Sequence, residues 1–249
     1  VQARSLDDLL ADFEAELVTE DAADEPAAPG HAGPGYAGPD YNVAPTKPVP
    51  VVLHRRRPGD RTGPLVRHLR TARWGLVPSW ARDATSAAKR INARVETVAT
   101  MPAFRLALAR RRCLVPADGW YEWARREDGG RQPIYLSPAD RSGLAFAGLY
   151  EFWSGPAGKV TSCTIITTAA VGELATVHDR MPLLLPRGAW AGWLDPASAD
   201  PGHLLDPPGS ELVAGIELRP VGTAVGNVTN EGPGLIAPAQ PAPAAQTLF

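Results

Sequence analysis

Apolar residues return at helical spacing near the start of the chain. Leu6, Leu9, Leu10, Phe13 and Leu17 share one face, and Ser5 with Asp8 forms a capping box ahead of them, so an amphipathic helix packed on the core is expected. From about residue 19 to 40 the sequence turns acidic and then rich in Ala, Pro and Gly. Such a composition cannot bury enough apolar surface to order itself, and the spacing predicts a mobile loop there. Strand-like runs follow at 49–53 and 65–69 around a basic turn, a hairpin pattern, and at 134–136, 144–153, 162–168 and 211–221. Residues 91–97, if extended, put Asn92, Arg94 and Glu96 on one face. Helices are expected at 102–112, 169–177 and 186–194, the last with Trp190 and Trp193 on one face. Beyond residue 236 the Ala-Pro-Gln tail, 237–249, reads as disordered. Many short strands with few helices indicate an α+β fold. We expect a single domain over 1–236, with a curved, largely antiparallel, barrel-like β core flanked by short helices.

Residues 113–123 carry the most pointed chemistry. An apolar run, the turn-forming pair Asp118-Gly119 and an aromatic segment read as strand, tight turn, strand. Glu122 stands between Tyr121 and Trp123, so alternation sends its carboxylate to the face opposite both rings. Partial burial would raise its pKa toward the range useful for proton transfer. A solvated Glu on an open sheet face is the alternative.

Composition places these elements in an ordinary globular protein: the chain has 249 residues, 44% hydrophobic and 21% charged. It shows neither an apolar run long enough to span a membrane nor a signal-peptide pattern, so a cytoplasmic protein is expected. Cys113 and Cys163 lie in apolar runs and read as reduced core residues; no spacing points to a metal, and no cofactor is expected. The net charge of -2 conceals segregation. Residues 7–25 carry nine acids and no base, whereas residues 54–73 carry seven arginines against Asp60, and Arg105, Arg110, Arg111 and Arg112 follow. A one-signed patch concentrates a polyanion, which makes nucleic acid the first partner to test, against the alternative of a solvated hairpin.

Six short motifs then occur in a fixed order: Tyr-Asn-Val-Ala-Pro (41–45), Trp-Gly-Leu-Val-Pro-Ser-Trp (74–80), Ile-Asn-Ala-Arg-Val-Glu-Thr (91–97), Ala-Asp-Gly-Trp-Tyr-Glu-Trp (117–123), His-Asp-Arg-Met-Pro (178–182) and Val-Gly-Asn-Val (225–228). In this the chain resembles the SOS response-associated peptidase family of abasic-site processing proteins. The resemblance implies a single domain on a curved β core and covalent capture of abasic sites in single-stranded DNA. It implies an N-terminal Cys whose amine and thiol close a thiazolidine on the sugar aldehyde, with self-processing to expose that amine. By motif match, Asn92 would orient nucleophile and sugar, Glu122 would shuttle protons, and His178 would protonate the sugar oxygen. Arg94 would clamp a phosphate, with Arg73, Thr167, Trp80 and Trp123 completing the DNA-binding set. Taken singly, Asn92 could be a turn residue, Arg94 a partner of Glu96, His178 a helix-end residue satisfied by Asp179, and each Trp a core residue.

The sequence departs from the family at its start, where Val1-Gln2-Ala3 resembles the residues just after a Met-Cys-Gly-Arg opening, and the native chain is expected to carry the Cys upstream of Val1. A non-catalytic single-strand-binding module and a peptidase acting on other proteins are the competing functions. The ending Gln246-Thr247-Leu248-Phe249 resembles the Gln-led Leu-Phe peptides that dock on the bacterial sliding clamp, which adds that clamp as a candidate partner through Gln246, Leu248 and Phe249. The protein itself is expected to be a monomer.

Overall fold

The first helix ends sooner than its apolar spacing predicts. In the computed structural model, which describes residues 1–18, 36, 38–57, 59–155, 158–198 and 200–239, α1 runs over Leu6–Phe13 behind the capping box of Ser5 and Asp8. Glu14 then adopts φ 49, a left-handed cap, so Leu17 leaves the helical face and lies 43% exposed in strand β1 (Glu16–Leu17). The remaining elements follow as β2 (Pro48–Arg55), β3 (Val66–Trp74), β4 (Asn92–Arg94), α2 (Val95–Val98), α3 (Arg105–Arg110), β5 (Arg112–Ala117) and β6 (Trp120–Arg125). Then come β7 (Arg131–Pro138), β8 (Leu144–Gly155), β9 (Gly158–Ala169), β10 (Arg180–Pro182), α4 (Trp190–Leu194), α5 (Ser210–Ala214) and β11 (Ile216–Pro220).

Strands β3, β2, β5, β8 and β9 are neighbours in that order, and a parallel pairing of β9 with β3 closes them into a five-stranded barrel. Arg73 stands opposite Ser162 and Trp74 opposite Cys163 at the closure. The other barrel pairings are antiparallel, so the α+β architecture with a curved, largely antiparallel core is the one observed. Both strand faces are buried. Leu69, Leu114 and Leu149 pack with Leu9 and Phe13 of α1 and with Trp190 and Trp193 of α4. Val51, Cys113, Phe146 and Cys163 face the other way and join Trp120 and Leu136 of a second sheet, β11–β7–β6. Double burial explains why β5 is apolar nearly throughout instead of alternating.

The opposite charge runs of the sequence meet each other. β1 lies parallel to β3, Glu16 pairs with Arg57, and Glu14 reaches Arg67 at 3.3 Å. Part of the basic hairpin is therefore neutralised from within. Arg112, read above with the basic surface, is buried.

Several expected elements change. Only residues 92–94 of 91–97 are extended, because α2 begins at Val95. The helix expected at 102–112 is confined to Arg105–Arg110, and the strand at 211–221 is divided between α5 and β11. Order also continues past residue 236: Pro238 bridges Val221, and the Ala239 N–H donates to the Pro220 carbonyl at 2.8 Å. The expected mobile loop falls mostly on 19–35 and 37, and Gln246, Leu248 and Phe249 fall in 240–249, outside the described residues. Among the described residues no helix is long and apolar enough to cross a membrane.

Candidate active site

The β5–β6 turn is shaped by a close backbone approach. A Cβ on Gly119 would lie 2.3 Å from the Leu136 carbonyl oxygen and 2.6 Å from the Tyr135 ring, so glycine is required there for space; its φ is not positive. The start of the chain lies along this turn. The Val1 nitrogen donates to the Gly119 carbonyl at 2.8 Å, the Asp118 N–H donates to the Val1 carbonyl at 2.9 Å, and the Asp118 carboxylate accepts from Ala3 N–H and pairs with Arg4. Anything joined to the Val1 nitrogen thus begins at the head of β6, three residues from Glu122.

Glu122 shares a face of β6 with buried Trp120, while Tyr121 points to the other side and packs against Tyr135, the ring centroids 5.4 Å apart and the planes tilted by 47°. Its side chain is 21% exposed. Burial raises its pKa above the ordinary carboxylate range; His178 opposes that rise, Asp179 adds to it, and the Trp120 indole favours the charged form weakly without a formed hydrogen bond. The His178 Nδ1 lies 4.0 Å from Glu122 Oε2 and 3.2 Å from Asp179 Oδ1. The Arg180 backbone N–H donates to the same Nδ1 at 3.0 Å, which leaves the proton of the neutral ring on Nε2. When the ring is protonated, Nδ1–H can instead face the Arg180 carbonyl at 3.2 Å or the carboxylates.

Asn92 and Arg94 come from β4, which lies along β9 with Arg94 opposite Thr167. Both side chains are exposed, flank buried Ala93, and make no hydrogen bond or ion pair with the described residues. Glu96 does not take Arg94. It accepts a bidentate pair from Arg180 at 2.6 and 3.1 Å, and the same guanidinium donates to the Thr167 carbonyl at 2.6 Å. Arg180 thereby ties α2, β9 and the His178 turn together and leaves the Arg94 charge available. The entry to β4 is fixed by Trp74, whose indole donates to the Ile91 carbonyl at 2.9 Å, and by Gly75, where φ is 132 and a Cβ would meet the Ala87 carbonyl at 2.7 Å.

Two further motifs are scaffolding for β6. The buried amide of Asn42 reaches the carbonyls of Val225, Asn227 and Asn230 at 3.0–3.2 Å, and the Tyr121 hydroxyl donates to the Tyr41 carbonyl at 2.9 Å. Of the remaining sequence-derived candidates, half-buried Trp123 is on the strand of Glu122 but on its opposite face. Trp80 is 59% exposed in the loop between β3 and β4. Arg73 lies at the barrel closure with its Nε buried and unpartnered. Sequence reasoning gave no role to Arg180 and weighed Glu96 only as a partner for Arg94. Their signal was membership of two motifs whose other residues had already been singled out.

The family model for SOS response associated peptidase (SRAP) matches residues 10–228. The chain is 37% identical over 200 residues to the abasic site processing protein YoqW of Bacillus subtilis, covering 79% of this chain and 84% of that one. It is 31% identical over 226 residues to the abasic site processing protein HMCES of Gallus gallus, covering 80% and 66% of the two chains. A solved structure of a Bordetella bronchiseptica protein superposes with a TM-score of 0.67 at 26% identity, covering 89% of this chain and 98% of that one.

Proposed function

Because the chain belongs to the SOS response-associated peptidase family, we propose that it processes abasic sites in single-stranded DNA, with Glu122 and His178 as the acid–base pair. The observation that carries the proposal is the 4.0 Å approach of His178 Nδ1 to Glu122, a carboxyl whose pKa burial has raised. A carboxyl and an imidazole are the side chains that most often serve as general acid and base.

An abasic deoxyribose is a cyclic hemiacetal. Its ring opens when the C1′ hydroxyl loses a proton and the ring oxygen gains one, leaving an aldehyde. His178, with Nε2–H as donor, suits the ring oxygen; Glu122 suits the proton that leaves. Arg94 and Asn92, exposed and unpaired, suit a flanking phosphate and the opened sugar. A Cys preceding Val1 would supply the covalent step. Its α-amine condenses with the aldehyde to an imine and releases water, and its thiol then adds across the C=N bond, the thiol proton passing to nitrogen. Cys113 and Cys163 do not fit this role, since both are buried and burial pushes both thiols up, Cys163 to about 12. Neither has a free α-amine.

The test is single-turnover kinetics on an abasic oligonucleotide, using chain with Cys placed before Val1. Glu122→Gln and His178→Ala should each slow covalent capture by about 10²-fold or more, the usual contribution of a general acid or base. Unchanged rates in both variants would remove the assignment. Tight binding of single strands with no covalent product would favour the non-catalytic module instead.

A further inference from the structure

We propose that Asp118 is a positioning residue: it clamps residues 1–4 in one register and so delivers the Cys ahead of Val1 to the Glu122–His178 pair. The inference rests on the reading that this Cys performs the covalent step. Asp118 grips the segment from two sides. Its backbone N–H donates to the Val1 carbonyl at 2.9 Å, and one carboxylate oxygen, Oδ2, accepts from the successive N–H groups of Ala3 and Arg4 at 2.5 and 3.2 Å. The other oxygen pairs with the Arg4 Nε at 3.0 Å. Between these grips Gln2 is 4% exposed and exchanges both backbone hydrogen bonds with Asp40, at 2.9 and 2.6 Å. With the Val1 nitrogen on the Gly119 carbonyl, every backbone N–H of residues 1–4 has a fixed acceptor. The clamp is itself anchored. The Tyr135 hydroxyl donates to the Asp118 carbonyl at 3.0 Å, and the Arg4 guanidinium continues to Asp12 of α1 at 2.6 Å and to the Arg141 carbonyl at 2.9 Å.

The lengths on either side of this clamp match. A Cys-Gly-Arg extension of Val1 reaches ~10 Å at ~3.3 Å per residue, the same as the strand steps from Gly119 to Glu122. Held at Val1, the amine and thiol search only that radius. Released by loss of the Asp118 carboxylate, the same groups hang from a longer tether. Orientation of reacting groups supplies a large effective molarity, and a misplacement of ~1 Å can cost about 10²-fold.

The parent for the test is the full chain extended by Cys-Gly-Arg before Val1, with the Cys amine free. It is compared with Asp118→Ala and Asp118→Asn, and all three are also made with an extra Gly between that Arg and Val1. Single-turnover capture of an abasic oligonucleotide is followed at saturating DNA, and affinity for a tetrahydrofuran-containing strand is read by fluorescence anisotropy. Asp118→Ala should slow capture about tenfold or more while the affinity stays within about twofold; Asp118→Asn, which retains an acceptor oxygen for the backbone N–H groups, should lose less. The extra Gly moves the Cys by up to ~3.3 Å and should slow the parent about tenfold or more. In Asp118→Ala it should cost less than about threefold further, because the register it disturbs is already lost. A residue that merely stabilised the turn would give additive costs. Capture within about twofold of the parent in both Asp118 variants, or an equal cost of the extra Gly with and without the carboxylate, overturns the proposal. If Asp118→Ala does not fold, the same comparison in Asp118→Asn decides it. Capture that needs Glu122 but not Asp118 removes this proposal alone, whereas no capture by the parent removes the reading of the site and the proposal with it.

Discussion

Replacing Arg112 with Met should destabilise the fold far more than any surface arginine would. Arg112 is 4% exposed, and its guanidinium donates to five backbone carbonyls: Trp193 and Leu108 at 2.6 Å, Ala109 at 3.1 Å, Ser198 at 2.9 Å, and Asp195. Leu108 and Ala109 belong to the last turn of α3, and Trp193 to α4, so one side chain satisfies the orphan carbonyls of one helix end and docks a second helix. Hydrogen bonds to a charged donor contribute ~1.5–3 kcal/mol each, but burying the guanidinium offsets much of that sum, as its lowered pKa reflects. Removing the donor while the acceptors stay buried costs about 3–5 kcal/mol by analogy with broken buried pairs. At ~2–4 °C per kcal/mol for a chain of this size, Tm should fall by roughly 6–20 °C. Thermal unfolding followed by circular dichroism measures it, with Arg112→Lys as control. Lysine keeps the charge but has three donors and no planar fork, so it should recover only part of the loss. A drop below ~2 °C for Met would refute the reasoning, since it would mean less than ~1 kcal/mol from five bonds.

Three other outcomes follow from the geometry of the site. Glu122 has a folded-state pKa above its unfolded value, so its contribution to stability falls as pH rises through that window; Glu122→Gln should therefore raise Tm at pH 8 and give a smaller gain near pH 4, and an equal shift at both would contradict the burial of this carboxyl. Glu96→Gln breaks a bidentate pair that is half exposed on the Glu96 side, so unfolding should change by less than ~1 kcal/mol. The pH profile of DNA capture should nonetheless shift, because the Arg180 turn that supplies the N–H to His178 loosens; an unmoved profile would deny Arg180 this positioning role. Gly119→Ala puts a methyl against the Leu136 carbonyl, and overpacking of this kind costs ~1–3 kcal/mol, read as a lowered denaturant midpoint; no change there would mean that the turn yields easily.

Local features were the legible ones. The β5–β6 hairpin could be read because its apolar run, its turn and Glu122 are contiguous, and alternation alone placed Glu122 opposite Tyr121 and Trp123. The first helix was legible at its capped start but not at its end, where Glu14 takes a left-handed cap that sequence assigns more readily to Gly or Asn. What stayed hidden depends on partners far away in sequence. Arg112 looks like surface charge until Trp193 and Asp195, 81 and 83 residues on, deliver their carbonyls. The Glu96–Arg180 pair spans 84 residues, and barrel closure joins β3 to β9. The basic hairpin read as a polyanion patch because nothing local shows that Glu14 and Glu16 return to Arg67 and Arg57.

The central claim is that the Glu122–His178 pair directs covalent capture of an abasic site at the head of β6. The most direct measurement is a denaturing gel of chain extended by Cys-Gly-Arg before Val1, with the Cys amine free, incubated with single-stranded DNA that contains one abasic site. A parallel lane carries a tetrahydrofuran analogue, which cannot open to an aldehyde. The account predicts a slower-migrating protein–DNA band with the natural abasic strand, its absence with the analogue, and its loss when that Cys is changed to Ala. No such band, or a band of equal strength with the analogue, would contradict it.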